Sequence, residues 1–469
     1  MELRRPLSGF FLIVAAAGCA LLPPPESAQV RKDAMPNLAL PGKWTAQGAA
    51  AGAVADGWLA SFRDAQLDAL VREAIANNAD LRVAAARVEQ AAAYAKLAGA
   101  TLYPQVNIMA RGGGKLSGDG SGLQGVGLFA SWELDLWGRV RSEREATRFQ
   151  YESTVLDEAY ARQSIAAQAA KGWFLAVESR LQKALAEEMV RSSQSLISLA
   201  VDRQRIGRGD DYDIALARAG LQTYRDAAEQ LELARQQALR SLEALAGRYP
   251  AAALEAPAQL AAKPAPVPAG MPSELLERRP DVVAAERRVA AAFYRVEESK
   301  AARLPRISLT ASATSISSDL FVLKNSANPV IGLGLSLLAP IFTGGALEAQ
   351  VEIKTADQKV AVAEYGRVGQ RAFGEVESAL SSEFTLEARA AVLREAVAEN
   401  ERALEFANIR YRIGSGDLRA VQQQQLSLYA ARTALLRVQS EQLVQRVNLH
   451  LALGGGWEIA PAQPEAKKP

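Results

Sequence analysis

Arg203-Gln204-Arg205-Ile206-Gly207-Arg208-Gly209-Asp210 returns 207 residues later as Arg410-Tyr411-Arg412-Ile413-Gly414-Ser415-Gly416-Asp417. Each copy interrupts a proline-free stretch, Pro104 to Pro250 in the first case and Pro340 to Pro461 in the second. Apolar residues around each copy recur at spacings of three and four, as in Leu185, Met189, Leu196, Leu199 and Ile206, and in Leu393, Val397, Leu404, Ala407 and Tyr411. That period is helical, with Ser192 and Asn400 interrupting the seam. Two glycines in the middle of such a helix are where it stops and turns. Each copy is therefore predicted to be the tip of a helical hairpin, and the chain to be a tandem repeat.

Working back from each tip, the helical stretches start near Arg139 and Ala346. Each would span about 100 Å if continuous, at 1.5 Å per residue. Before them the period changes from 3.6 to 2. Val126, Leu128, Ala130, Trp132, Leu134 and Leu136 alternate with Gly125, Gly127, Ser131, Glu133 and Asp135. Val106, Ile108 and Ala110 precede them across a glycine-rich turn, Arg111–Gly122. The second half repeats the pattern with Ile307, Leu309, Ala311 and Ala313, and then Ile331, Leu333, Leu335, Leu337, Ala339 and Ile341. This predicts two hairpins and four strands of about ten residues, the length and dyad pattern of a transmembrane β-barrel strand. Trp132, Trp137 and Phe342 near the strand ends suit a membrane interface. Four strands cannot close a barrel, so two, three or four copies sharing one barrel would give 8, 12 or 16 strands. Glu133 and Asp135, on one strand face, are barrel-lumen candidates.

A third repeated element precedes each strand pair. The helical pattern from Asp64 to about Leu102 returns from Pro280-Asp281-Val282 to Leu304-Pro305, with Asp80/Asp281, Val88/Val289 and Pro104/Pro305 aligned. The predicted organisation is a signal peptide 1–18, an extended lipid-anchored segment 19–63, a first repeat 64–250, a Pro/Ala-rich linker 251–272, a second repeat 273–457 and a loose tail 458–469. Arg4 and Arg5 followed by the short apolar run Phe10–Ala17 make a targeting signal too short to span a bilayer. It ends at Gly18-Cys19, which resembles a lipoprotein cleavage site and makes Cys19 the lipidation candidate. Trp44 and Trp58 are expected to pack the N-terminal segment down.

The chemistry is sparse. With 54 basic and 52 acidic residues, nothing suggests a nucleic-acid surface. Cys19 is the only cysteine, so disulfides and cysteine metal sites are excluded. His450 is the only histidine and is expected to be structural. Gly114-Lys115 is followed by Leu116, which lacks the hydroxyl a phosphate loop needs. No catalytic, metal or cofactor site is expected. The polar interest lies at the tips, where Arg203, Arg205, Asp210 and Asp213, with Arg410, Arg412 and Asp417, form either a solvated helix end or a set of exchangeable inter-helix ion pairs acting as a gate.

Together these features resemble the TolC/OprM family of outer-membrane efflux ducts, and its NodT-like lipoprotein branch in particular. The residues that carry the resemblance are Gly18-Cys19, Arg279-Pro280-Asp281-Val282, Leu304-Pro305-Arg306-Ile307, Pro340-Ile341-Phe342, Gly344-Gly345, Arg410-Tyr411-Arg412-Ile413-Gly414 and the closing Gly454-Gly455-Gly456-Trp457. The resemblance implies an α+β membrane protein, with four strands per chain contributing to a trimeric 12-stranded β-barrel and long hairpins contributing to an α-helical coiled-coil barrel. It implies a homotrimer, lipid-anchored in the outer membrane of a Gram-negative bacterium and extending into the periplasm. The implied partners are a periplasmic adaptor (membrane fusion protein) and an inner-membrane pump of the resistance–nodulation–division class. The function is then that of a passive exit duct for small molecules. Tyr411 and Gly414 match the family's tip, but twelve residues on, where a constricting carboxylate is common, this chain has Gln423. The alternatives are a duct for type I protein secretion, which shares the fold, and a non-pore periplasmic coiled-coil adaptor, which the four strands disfavour.

Overall fold

The computed structural model describes residues 21–47, 50, 52–111, 123–318 and 330–458. The predicted signal peptide, Cys19, the glycine-rich turn after Arg111 and the tail from residue 459 lie outside the described residues. Among the described residues the chain runs α1 (Ser27–Ala34), a 3-10 turn (Trp58–Phe62), α2 (Ala65–Asn77), α3 (Ala79–Ala100), β1 (Gln105–Arg111), β2 (Leu123–Leu134), α4 (Arg139–Arg205) and α5 (Asp211–Leu245). A second 3-10 turn (Pro272–Glu274) and α6 (Leu275–Arg278) open the second half. It continues as α7 (Pro280–Ala301), β3 (Arg306–Ser318), β4 (Val330–Leu338), α8 (Ala346–Ile413) and α9 (Leu418–Ala452). α4 and α8 are unbroken over 67 and 68 residues, as the absence of proline and the helical period predict.

The described chain forms two compact units. One comprises Met1–Leu38, Ala85–Asp157 and Asp281–Val368, and the other Ala39–Ala84, Glu158–Pro280 and Gly369–Pro469. Each draws on both sequence repeats, so neither unit is a repeat by itself.

In the first unit the strands form one antiparallel sheet in the order β1-β2-β3-β4. The two hairpins are joined at the centre by β2 and β3, paired from Leu123↔Ser318 to Leu134↔Ile307. Register puts Val106, Ile108, Val126, Leu128, Trp132, Leu309, Leu333, Leu335 and Leu337 on one face, and they stand exposed, Leu333 at 86%. Gln105, Asn107, Ser131, Ser308, Thr310 and Ser312 share the other. The strands end earlier than the alternation suggested. Leu136 and Ile341 lie beyond β2 and β4. The indoles of Trp132 and Trp137 donate to the carbonyls of Leu102 (3.0 Å) and Pro305 (2.7 Å), which fastens the two equivalent helix-to-strand corners. Below the sheet Phe149 stacks on Tyr294 at 5.8 Å, within a cluster with Ala146 and Ala291. The N-terminal segment is not uniformly extended. Ser27–Ala34 lacks proline and glycine and folds as α1 with Val30 buried. It packs so closely on Gly366 that a Cβ there would meet the Ala34 carbonyl at 2.5 Å.

The second unit holds the main core, with Trp58, Phe62, Trp173 and Phe174 around a run of buried alanines, Ala166, Ala167, Ala169, Ala170 and Ala176. Such small side chains let helices approach closely. Asp64 caps α2 by accepting from the Gln66 and Leu67 amides, and its second oxygen accepts from the Trp173 indole at 2.8 Å. The single helix predicted from Asp64 to Leu102 is in fact two. Asn78 leaves helical geometry, its Oδ1 capping α3 through the Asp80 and Leu81 amides and its Nδ2 donating to the Leu245 carbonyl at 2.9 Å. The linker 251–272 is also tied down. Three successive amides, Ala252, Ala253 and Leu254, donate to the Glu243 carboxylate. Burial pushes that carboxyl up, but those amides outweigh it and hold it below the usual range. Trp44 is buried as expected, its indole donating to the Ala269 carbonyl at 2.9 Å.

Candidate functional site

Both tips lie in the second unit, and both use one turn chemistry. At the first, the Gly207 amide donates to the Gln204 carbonyl and the Arg208 amide to that of Arg203. At the second, Gly414 donates to Tyr411 and Ser415 to Arg410. This double bond closes a helix on a left-handed residue, and Gly207 and Gly414 have φ of +72° and +88°. The second glycine of each copy serves close approach. A Cβ on Gly209 or Gly416 would lie 3.4 or 3.1 Å from the Cβ of Arg203 or Arg410. The aspartate that ends each copy starts the return helix. Asp210 Oδ1 accepts from the Asp213 amide at 2.9 Å and Asp417 Oδ1 from the Ala420 amide at 2.7 Å.

That geometry redistributes the expected gate residues. Asp210 and Asp417 serve as helix caps. Arg205 pairs with Asp202 on its own helix, 2.5 Å away and exposed. Arg410 and Arg412 make no ion pair among the described residues. So the tip charges do not form acid–base bridges between the hairpins. The tie that does cross from one hairpin to the other is built on Tyr411. Its ring is 1% exposed, in a cluster with Leu196, Ala217, Leu418 and Val421. The Arg203 guanidinium lies 4.3 Å from the ring centroid and donates to the Tyr411 carbonyl, and to that of Arg208 at 3.0 Å. The Tyr411 hydroxyl donates to Asp213 at 3.4 Å. Burial pushes the phenol above its ordinary value of 10.0, Asp213 adds to this and Arg203 opposes it. Beside the tie, Arg419 donates to the Tyr212 hydroxyl at 3.3 Å.

The glutamine run is likewise divided by helix face. Gln422 donates to the Leu216 carbonyl (2.8 Å) and buried Gln425 to the Ser192 hydroxyl (3.0 Å), both on the first hairpin. Gln423, where the resemblance implied a constricting carboxylate, is exposed. Sequence reasoning missed this bridge, although Ser192 stood out as a break in the apolar seam and is its acceptor. Further up, Arg432 pairs with Glu188 (2.8 Å) and Glu401 (2.6 Å), joining three helices.

The lumen candidates separate too. Glu133 is on the polar face of β2 and is engaged in a two-point pair with Arg139, at 3.0 and 2.9 Å. Asp135 lies beyond the strand end, and its carboxylate accepts from the Val140 and Arg141 amides at the start of α4. It is a helix cap, not a wall residue. His450 is stacked on Trp58 at 5.8 Å, and burial, reinforced by Arg446, holds its pKa down to about 3. It is therefore neutral at physiological pH. The Arg279-Pro280 motif is also structural. Arg279 is fully buried and donates to Glu375 (2.6 Å) and to the Ala452 carbonyl (3.1 Å). Among the described residues there is no group of acids, histidines or cysteines that would hold a metal.

The sheet and the long hairpins have close counterparts among solved structures. The outer-membrane channel OprN matches with a TM-score of 0.80 at 26% identity, over 90% of this chain and 99% of that one. The outer membrane protein VceC of Vibrio cholerae matches with a TM-score of 0.80 at 26% identity, over 87% of this chain and 100% of that one. Among characterised sequences, the probable efflux pump outer membrane protein TtgC of Pseudomonas putida is 30% identical over 94% of this chain and 93% of its own length. The cation efflux system protein CusC of Escherichia coli is 32% identical over 86% of this chain and 88% of its own. The family model described as outer membrane efflux protein matches residues 70–248 and 271–455, one segment in each half. The chain belongs to the outer membrane efflux protein family, and its fold is that of the TolC-like outer-membrane channels.

Proposed function

We propose that this protein is the lipid-anchored, homotrimeric outer-membrane duct of a tripartite efflux system, working with a periplasmic adaptor and an inner-membrane pump. The observation that carries the reading is the sheet. It has one apolar face suited to lipid, one polar face suited to water, and two outer strands, β1 and β4, without a neighbour in the described chain. In a bilayer an open edge leaves backbone groups unpaired, so the sheet must be closed by further copies. Three copies supply twelve strands, the number the family resemblance implies. The duct does no chemistry of its own. In this reading Cys19 carries the lipid, and the Arg203–Tyr411–Asp213 tie is the closed state of the periplasmic entrance. Solutes pass when the hairpins separate, and the pump supplies the energy.

The relatives' names support placing specificity outside the duct. Chains 30–32% identical to this one are named for toluene, cations and pyoverdine. The test is purification in detergent. The reading expects heat-modifiable trimers, single-channel conductance in planar bilayers, and co-purification with an adaptor encoded beside it. Loss of both the trimer and the conductance would remove it. Cys19→Ser should abolish palmitate labelling while leaving the trimer intact, and retained labelling would remove the lipid anchor from the reading.

A further inference from the structure

The polar face of the sheet is built mainly of hydroxyls, amides and glycines, with Asn107, Ser131, Ser308, Thr310, Ser312 and Ser336 at successive register positions. One aromatic ring shares that face among the described residues. Phe129 pairs with Asn107 on β1 and Ser312 on β3, and therefore points to the side opposite Leu128 and Ala130. By register Met109 and Leu338 are apolar interruptions of this face as well, and Phe129 is its one ring among the described residues.

The ring does not stand off the sheet. Gly127, two residues earlier on the same face, is buried although Val126 and Leu128 beside it are exposed. A Cβ built on Gly127 would lie 2.9 and 3.2 Å from Cε2 and Cζ of Phe129, and 2.7 Å from Cγ2 of Thr314. The ring is thus folded back onto the floor that glycine leaves. Real Cβ contacts do not come under 3.0 Å. Any side chain at position 127 must therefore displace the ring from this seat, together with the Thr314 methyl.

We propose that Phe129 is the aperture-setting residue of the membrane section of the duct, and that Gly127 is the positioning residue that keeps its ring stowed. This rests on the trimeric-barrel reading above, in which the polar face lines the lumen and three such rings meet it at one level. Stowed, the rings leave a wide, hydroxyl-lined passage with an apolar patch on each third of the wall. Raised, they narrow it. Among the described strand residues, apolar and aromatic solutes would then meet a ring-to-ring contact here, and large solutes would be the most sensitive to the ring's position.

The test uses the full-length trimer with Tyr411→Ala in the background, so that the periplasmic tip does not limit the current. Phe129→Ala should raise single-channel conductance by about 1.3-fold and Gly127→Ala lower it by about as much, since conductance follows the open cross-section. The double variant should match Phe129→Ala alone, because without the ring the added methyl has nothing to lift. If Gly127→Ala fails to trimerise, Phe129→Trp replaces it and should lower the conductance. Currents unaffected by Phe129→Ala would overturn the proposal. So would a Gly127→Ala decrease that persists after the ring is removed, which would assign the effect to Thr314 and the backbone. A background channel with no conductance at all, or no trimer, is instead the failure of the channel reading, and the proposal falls with it.

Discussion

The two tips are one turn written twice, differing at two of eight positions, Gln204/Tyr411 and Arg208/Ser415, and the first of these sets their packing apart. Both close on a left-handed glycine, both bring a second glycine against an arginine Cβ, and both cap the return helix with aspartate. At equivalent places in the repeat stand Gln204 and Tyr411. Gln204 is half-buried and donates to Asp211 in its own hairpin, at 2.6 Å. Tyr411 is buried and reaches the other hairpin through its ring, its carbonyl and its hydroxyl. The repeat supplies the bend, and one aromatic side chain supplies the connection. The same inequality recurs at the other end of the repeats. Asn78 holds the Leu245 carbonyl in the first half, and the charged Arg279 holds the equivalent Ala452 carbonyl in the second.

The comparison can be broken most forcefully at Tyr411. Tyr411→Ala should cost about 3–5 kcal/mol of local stability, as for other buried aromatics cut to alanine, whereas Gln204→Ala should stay within about 0.5 kcal/mol. Protease nicking at the two tips and single-channel conductance both report this, and equal effects at the two positions would refute the inequality. Next comes the glutamine bridge. Gln425→Ala should cost about 1–3 kcal/mol by stripping Ser192 of its buried donor, while exposed Gln423→Ala should leave thermal unfolding of the protein unchanged. A larger loss at Gln423 would reverse the assignment of faces.

A third effect is on pH. The folded state holds the Tyr411 proton more tightly than the unfolded chain does. Its contribution is therefore fully present below the ordinary tyrosine value of 10.0 and is lost as pH rises from there through the raised folded value. Conductance should climb in that alkaline window and Tyr411→Phe should remove the climb; an identical profile in both would sever the hydroxyl from the tie. The smallest effect is expected at Arg432, half-buried and paired with two exposed carboxylates. Arg432→Ala should cost under about 1 kcal/mol, and the cost should shrink further in 1 M salt. A salt-independent loss would mean that its aliphatic stem, rather than its charge, matters.

What was legible in the sequence was whatever repeats or alternates. The paired glycines gave both tips, the period of two gave all four strands, and the absence of proline gave helices of 67 and 68 residues. The break at Asn78 was hidden because asparagine, unlike the proline at position 280, carries no steric veto on a helix. Its role depends on a carbonyl 167 residues away. The aspartates were visible as charges, but whether Asp135, Asp210 and Asp417 face a partner hairpin or their own helix start is decided by backbone direction. The Tyr411 tie has no local signature either. Arg203 is 208 residues from it in sequence and Asp213 is 198, and a composition of both signs at the tip suggested ion pairs that the geometry does not make.

The order β1-β2-β3-β4 has a consequence of parity. Each hairpin reverses direction once, and the central β2–β3 pairing reverses it again, so the first and last strands of the sheet run in opposite directions. In the shared barrel proposed above, the free edge of β4 on one copy would therefore meet the free edge of β1 on the next in the same antiparallel sense as every pairing within the chain. A head-to-tail contact of this kind makes closed rings when the rotation between copies allows it. Had the repeat contributed an odd number of strands, every junction between copies would have been parallel, and a seam of different hydrogen-bond geometry would run down the wall at each one. Duplication of a two-stranded unit removes that seam for any number of copies.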